Sequence, residues 1–328
     1  MKKLSVSIIG TGLIGQKRAE AIIRIQGFKL YSAFDINETA LKTFVKKYNC
    51  IQAKNIEEII DVKTIDLVIL AIPHQYAAEI APKIIKYKNL LLEKPVGRNL
   101  KETTRIVGNV EKYHHLLFAG FNCHYYPHIK LLIDYIEQNK LGQIISSSFN
   151  LGHASYPGYE KTWKMNKELC GGGVILDPGI HMIDLMISIF DVPSSVDLST
   201  NSLGWQMAVE DEAFLIFKFN NGSISQHHYS LNLAQNTLFI EVVGSKGIVR
   251  ITGRGGNYGN MKFEFTPRWF WKTNQKIVKE DFGSEDNSFY DEMVDIKIKL
   301  RSKKFDYVQE NNRFLKTMQL IDQIYNGR

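Results

Sequence analysis

The sequence predicts an α/β protein in two domains. The first, residues 1–121, is built on a doubly wound parallel sheet. The second, residues 122–328, is an α/β domain with a large open, mainly antiparallel sheet. Three observations lead there. An apolar strand runs directly into a glycine loop and a helix over residues 4–25. Strand and helix patterns then alternate through the first 120 residues, as in a parallel sheet with right-handed crossovers. From 194 to 266 the chain reads as sequential strands joined by turns, which favours antiparallel pairing.

Leu4, Val6, Ile8 and Ile9 make a short apolar run suited to a buried parallel strand. Gly10, Gly12 and Gly15 follow in G-x-G-x-x-G spacing, and a helix pattern runs from Leu13 to about Ile25. In this motif Gly10 allows the tight turn, Gly12 admits a pyrophosphate to the backbone, and Gly15 lets helix and strand pack closely. Amides at the helix start, those of Leu13 and Ile14 among them, can bind phosphate. Asp35 closes the next apolar run, twenty residues beyond Gly15. A carboxylate there can hold both ribose hydroxyls of an adenosine and repels a 2′-phosphate. The expected cofactor is therefore NAD, with NADP the alternative.

Further strands are expected at 29–34, 65–72, 89–93 and 116–121, with helices at 38–48, 76–86 and 101–112 and a short one near Ile56. Ligands of such sheets bind outside the carboxyl ends of the strands. Ile72 and Pro73, and Glu93 and Lys94, stand at such ends and join the glycine loop as candidates for cofactor contact. Beyond 121 a helix is expected at 128–139 and a strand at 143–150, then an irregular stretch. The run Gly171-Gly172-Gly173 leads to a helix expected from Pro178 to Phe190. Asn221-Gly222 is a hairpin turn between two of the later strands. Gly253, Gly255, Gly256 and Gly259 read as a flexible loop, and helices return at 286–300 and 311–325.

With 328 residues, 44% of them hydrophobic and 23% charged, the chain can bury sizeable cores. It contains no apolar run long enough to span a bilayer, and its basic start leads into the glycine-loop strand without a cleavage site. Three cysteines, Cys50, Cys123 and Cys170, match no zinc or disulfide pattern, so the cytoplasm is the expected compartment. The net charge of +7 is scattered rather than gathered in an arm. It argues against nucleic acid and is compatible with an anionic small substrate.

Two constellations carry candidate chemistry. Lys94, between an apolar strand and Pro95, can hydrogen-bond a reacting hydroxyl; it can equally be a solvated charge at a strand end. Asp177 stands before Pro178 as a candidate helix N-cap, with His181 one turn in. His181 can accept a proton from a hydroxyl, and Asp184 can orient its ring. The plain reading is that Asp177 only caps and His181 is a satisfied histidine. Asp177, His181 and Asp184 could also line a metal site, but hydride transfer needs none, and no metal is expected.

Taken in order, Gly10-x-Gly12-x-x-Gly15, Glu93-Lys94-Pro95 and Gly171-Gly172-Gly173 leading into Asp177-x-x-x-His181-x-x-Asp184 resemble the glucose–fructose oxidoreductase, inositol dehydrogenase and rhizopine-catabolism family, Gfo/Idh/MocA. Glu210-Asp211 fits the same pattern, and the resemblance covers nearly the whole chain. It implies an N-terminal Rossmann domain and NAD(P)-dependent oxidation or reduction of a sugar or cyclitol. It also implies a C-terminal sheet that supports homo-dimers or homo-tetramers. Carried over, Lys94 is the catalytic lysine, Asp177 the substrate-contacting acid and His181 the proton-transfer residue. Two positions depart from the family. Ala77 stands where many members carry a histidine, and His124 where many carry an arginine; both bear on the substrate pose.

His124, Tyr126, His153, Tyr159, Trp163 and Lys164 are the expected substrate contacts, with Asp177 and His181. Aromatic faces suit a sugar ring, and Lys164 can meet a carboxylate or phosphate. The expected substrate is a sugar or nucleotide-linked sugar in carbohydrate or surface-glycan metabolism. The alternatives are an NADP-dependent ketosugar reductase, an inositol or cyclitol dehydrogenase, and a non-catalytic cofactor-binding sensor or scaffold.

Overall fold

The computed structural model describes residues 2–302 and 306–327. Its chain forms two compact units, residues 1–122 with 288–319, and residues 123–287 with 320–328.

In the first unit, strands and helices alternate as β1 Leu4–Ile9, α1 Leu13–Arg24, β2 Phe28–Phe34, α2 Glu38–Tyr48, β3 Ile51–Gln52, α3 Ile56–Asp61, β4 Ile65–Leu70, α4 His74–Ile85, β5 Asn89–Leu92, α5 Leu100–Tyr113 and β6 Leu117–Ala119. The strands pair in parallel in the order β3-β2-β1-β4-β5-β6. Chain order reverses between β1 and β4, the switch point where α/β sheets take ligands. Helix starts are set locally. Asn37, Asn55 and Asn99 accept hydrogen bonds from the amides of Ala40, Glu58 and Glu102, so α2, α3 and α5 each begin on an asparagine cap.

The second unit comprises α6 Pro127–Glu137, β7 Ile144–Ala154, α7 Lys167–Cys170, α8 Ile180–Phe190, β8 Ser195–Asn201, β9 Glu212–Lys218, β10 Ile224–Ser230, β11 Asn232–Gly244, β12 Gly247–Thr252, β13 Lys262–Pro267, α9 Phe270–Thr273 and β14 Val278–Asp281. Its eight strands run in the order β14-β13-β12-β11-β7-β10-β9-β8. All neighbours are antiparallel except β7 and β10, which pair in parallel from Ser146 opposite Ile224 to Gly152 opposite Ser230. The long helical connection after β7 permits that parallel return.

Two helices follow, α10 Ser288–Arg301 and α11 Tyr307–Asn326. Helix α10 differs from the expected division at 121, because it returns to the first unit. Met293 and Ile296 are buried there in one cluster with Val6, Ile8, Ala19 and Ile22. Burying each such side chain contributes about 1.5–3 kcal/mol, which fixes the helix to that sheet. Residues 307–319 of α11 belong to the first unit and the remainder to the second. Among the described residues no helix is long and apolar enough to cross a membrane.

Candidate functional site

In the first unit the candidate residues stand at one edge, the carboxyl ends of the adjacent strands β2, β1, β4 and β5. Gly10 takes φ +96, and a Cβ there would collide with the Ala71 carbonyl and Ile72. A side chain at Gly15 would strike the carbonyl of Gly10, so the start of α1 lies hard against the loop. Gly12 is different: a Cβ there meets nothing within 4 Å. Packing does not explain that glycine, whereas a ligand approaching the backbone does. Gly12 is the N-cap of α1 and supplies no side-chain cap. The first-turn amides of Leu13, Ile14 and Gly15 thus suit an anionic acceptor.

Asp35 follows β2 and is half-buried. Its Oδ2 accepts from the Thr11 amide (2.7 Å) and hydroxyl (2.9 Å), and its Oδ1 from the Asn37 amide (2.8 Å). These bonds tie the carboxylate to the glycine loop, and of its about four acceptor sites one on Oδ1 is left for a ribose hydroxyl. Ile72 packs beside Gly10, and Pro73 caps α4. These residues fit a dinucleotide.

Glu93 follows β5, and its Oε1 accepts from Arg18 Nε at 2.6 Å. Arg18 is fully buried and also pairs with Glu292 of α10. Glu93 therefore ties β5 to α1. Burial and the neighbouring Glu93 push Glu292 up to about 7, against the pull of Arg18. Lys94 follows, half-buried, before a cis bond to Pro95.

In the second unit, α8 begins at Ile180 with Gly179 as its cap, so Asp177 is not the N-cap expected from sequence. The chain instead makes consecutive turns, with Asp177 N donating to Gly173 O and Gly179 N to Val174 O. That frees the Asp177 carboxylate from capping, and it pairs with Lys164 (Nζ to Oδ2, 2.7 Å). The Asp177 charge is the main reason the Lys164 ammonium is held above its ordinary value. His181 is buried in the first turn of α8. Asp184, fully buried, contacts His124 (Nε2 to Oδ2, 2.6 Å). Among the described residues no group of three or more His, Cys, Asp or Glu could hold a metal ion.

His153 and Tyr159 meet edge to face at 5.6 Å, and both lie within electrostatic reach of Lys164 and Asp177. Burial pushes the Tyr159 hydroxyl up to about 12 and His153 down. Lys164, Asp177, His153 and Tyr159 thus form one cluster. Tyr126 is buried beside His128 (5.8 Å), and Trp163 opens a half-buried 3₁₀ turn.

Two features escaped the sequence reading. Glu210 Oε1 accepts from the amide of Gly173 (3.2 Å) and from the Tyr325 hydroxyl (2.6 Å), anchoring the turns that carry Asp177. The available signal was the Glu210-Asp211 match, which named a position and no partner. Arg254 sits between Gly253 and Gly255 with its guanidinium over the Tyr258 ring at 3.8 Å. A lone cation inside a glycine run was the signal. The loop is also not flexible as expected: Gly255 N donates to Gly259 O (3.0 Å) and Gly256 N to Ser284 O (2.9 Å).

Comparison with known proteins agrees with both units. Residues 4–121 match the oxidoreductase family model with an NAD-binding Rossmann fold, and residues 129–250 match the GFO/IDH/MocA C-terminal domain. Glucose-6-phosphate 3-dehydrogenase of Bacillus subtilis (strain 168) is 31% identical over 195 residues, 58% of this chain and 54% of that protein. The scyllo-inositol 2-dehydrogenase (NADP(+)) IolU of the same organism is 22% identical over 91% of this chain and 95% of its own length. A levoglucosan dehydrogenase, solved in complex with NADH and L-sorbose, shares the fold with a TM-score of 0.84 at 17% identity, covering 99% of this chain and 96% of that one. The chain belongs to the Gfo/Idh/MocA family of NAD(P)-binding sugar oxidoreductases.

Proposed function

We propose that this protein is an NAD-dependent dehydrogenase or reductase that interconverts a carbinol and a keto carbon of a sugar. The observation that carries the reading is the open flank of Gly12 beside an Asp35 carboxylate already tied to the glycine loop. When bound, NAD supplies the hydride acceptor. His181 then takes the hydroxyl proton, Lys94 donates a hydrogen bond to the oxygen as charge develops on it, and Asp177 contacts the sugar. Reduction runs the same roles backward. Lys164 pairs with the Asp177 carboxylate at 2.7 Å and fixes its position.

NADP is the second reading, because the scyllo-inositol relative carries NADP(+) in its name. Asp35 opposes it, since a 2′-phosphate would face that carboxylate. The three cysteines form no disulfide among the described residues, which supports a reducing compartment such as the cytoplasm. Phe214, Ile216 and Ile224 are more than two-fifths exposed on one face of the eight-stranded sheet, and a second copy of the chain covering that face would give a homo-dimer or homo-tetramer.

The test is a screen of free and nucleotide-linked sugars with NAD and with NADP, read by nicotinamide absorbance. At least one sugar is expected to reduce NAD, with NAD preferred over NADP. A strong NADP preference would remove the role given to Asp35, and reduction by no sugar would remove the reading itself.

A further inference from the structure

Arg254 is the side chain of the second unit whose surroundings the reaction above leaves unexplained. Its backbone is built rather than loose. Gly253 turns at φ +74, where a Cβ would collide with the Asn260 carbonyl, and its own carbonyl accepts from His128 Nε2 at 2.7 Å. Burial pushes His128 down to about 4, so the ring stays neutral near pH 7 and keeps that bond. Beyond Arg254, Gly255 turns at φ +83 against the Ser284 carbonyl. The arginine is therefore fixed at both ends.

Its side chain is half-buried with Cζ 3.8 Å from the centroid of the Tyr258 ring, and Tyr126 lies within electrostatic reach. Among the described residues no carboxylate forms an ion pair with it, although Asp286 lies within its field. The contrast with Lys164 is direct. Lys164 already has the Asp177 carboxylate as a partner at 2.7 Å. Arg254 and Lys164 both act on His153, and Asp177 acts on both His153 and Tyr258, so the arginine belongs to the same cluster. Of the two cations, Lys164 is ion-paired with Asp177 and Arg254 is not ion-paired among the described residues. A partly desolvated guanidinium without a counter-ion is costly, and its planar fork matches a phosphate or carboxylate with two parallel hydrogen bonds.

We propose that Arg254 recognises an anionic substituent, a phosphate monoester or a carboxylate, on the ligand held by the second unit. The ligand is the sugar substrate, which rests on the function proposed above. Arg254 is then a specificity residue: it selects anionic over neutral sugars and takes no part in moving the proton.

Two measurements on the full-length protein test this. Inorganic phosphate is titrated by calorimetry into wild type, Arg254→Gln, Arg254→Lys and Arg250→Gln, the last being an exposed arginine of β12 paired with Glu241. Phosphate is expected to bind wild type and Arg250→Gln alike, at least about tenfold more weakly to Arg254→Gln, and in between to Arg254→Lys. In the second measurement, kcat/KM with NAD is compared for glucose 6-phosphate, glucuronate and glucose. Wild type is expected to prefer one anionic sugar, and Arg254→Gln to lose that preference through KM with NAD affinity intact. The preferred sugar tells phosphate from carboxylate. Equal phosphate binding by wild type and Arg254→Gln, or no binding to wild type, overturns the proposal, as does a parallel loss of NAD affinity. If phosphate binds as expected and no sugar reduces NAD, the anion site stands and the oxidoreductase reading falls.

Discussion

His181 and Lys94 divide the proton work of the proposed reaction, and their surroundings differ accordingly. His181 is buried in the first turn of α8. Lys94 is half-buried at the end of β5, held between Glu93, which is locked to Arg18, and Pro95. Lys94→Ala and His181→Ala are each expected to lower kcat by about 10²–10⁴. NAD affinity should fall far less than kcat, because the glycine loop and Asp35 are untouched. Stopped-flow turnover and cofactor titration check this, and full turnover in both variants would reject the roles. The residue scale is also where the sequence was least legible. Lys164 and Asp177 are each visible as charges, but nothing in the chain says that they pair, since that needs the turns of 173–179. Arg254 was hidden for the opposite reason. Glycine-rich composition reads as flexibility, whereas backbone bonds from Gly255 and Gly256 make this loop ordered.

Elements were easier to read than contacts. The start of β4, the start of α1 and the hairpin at Asn221-Gly222 follow from periodicity and turn chemistry, and the structure places all three there, with β4 ending at Leu70 rather than 72. Strands β3 and β14 were missed because two and four residues carry too little pattern. The allegiance of α10 was also illegible, because an apolar helix face does not name the sheet it covers. Its burial has a consequence for pH. Glu292 of α10 is held at about 7, against an ordinary 4.5, so the folded protein binds a proton there that the unfolded chain has lost. This group therefore contributes stability that is fully present below pH 4.5 and is lost as pH rises through about 7. The slope is at most one proton, about 1.4 kcal/mol per pH unit. Glu292→Gln is expected to flatten the fall between those pH values in urea unfolding, and an unchanged slope would contradict the assignment. Arg18→Met should cost more, about 3–5 kcal/mol, because it leaves two carboxylates facing each other without their cation.

For the whole molecule, ordered motifs carried more than composition did. The glycine loop, Asp35 and Lys94 all lie at carboxyl ends of parallel strands, which is where doubly wound sheets take ligands. The second sheet was legible as mainly antiparallel, but the parallel pairing of β7 with β10 was not, because strand order across a long helical connection leaves no local trace. In the proposed reaction a carbon-bound hydrogen of a sugar passes directly to nicotinamide. Direct transfer is testable without knowing which carbon reacts. The protein is incubated with NAD and a perdeuterated form of a sugar found active in the screen, and the reduced cofactor is weighed by mass spectrometry. Reduced nicotinamide is expected to be heavier by about one mass unit, since a single hydride is carried by the cofactor. Reduced cofactor without the label would contradict direct transfer.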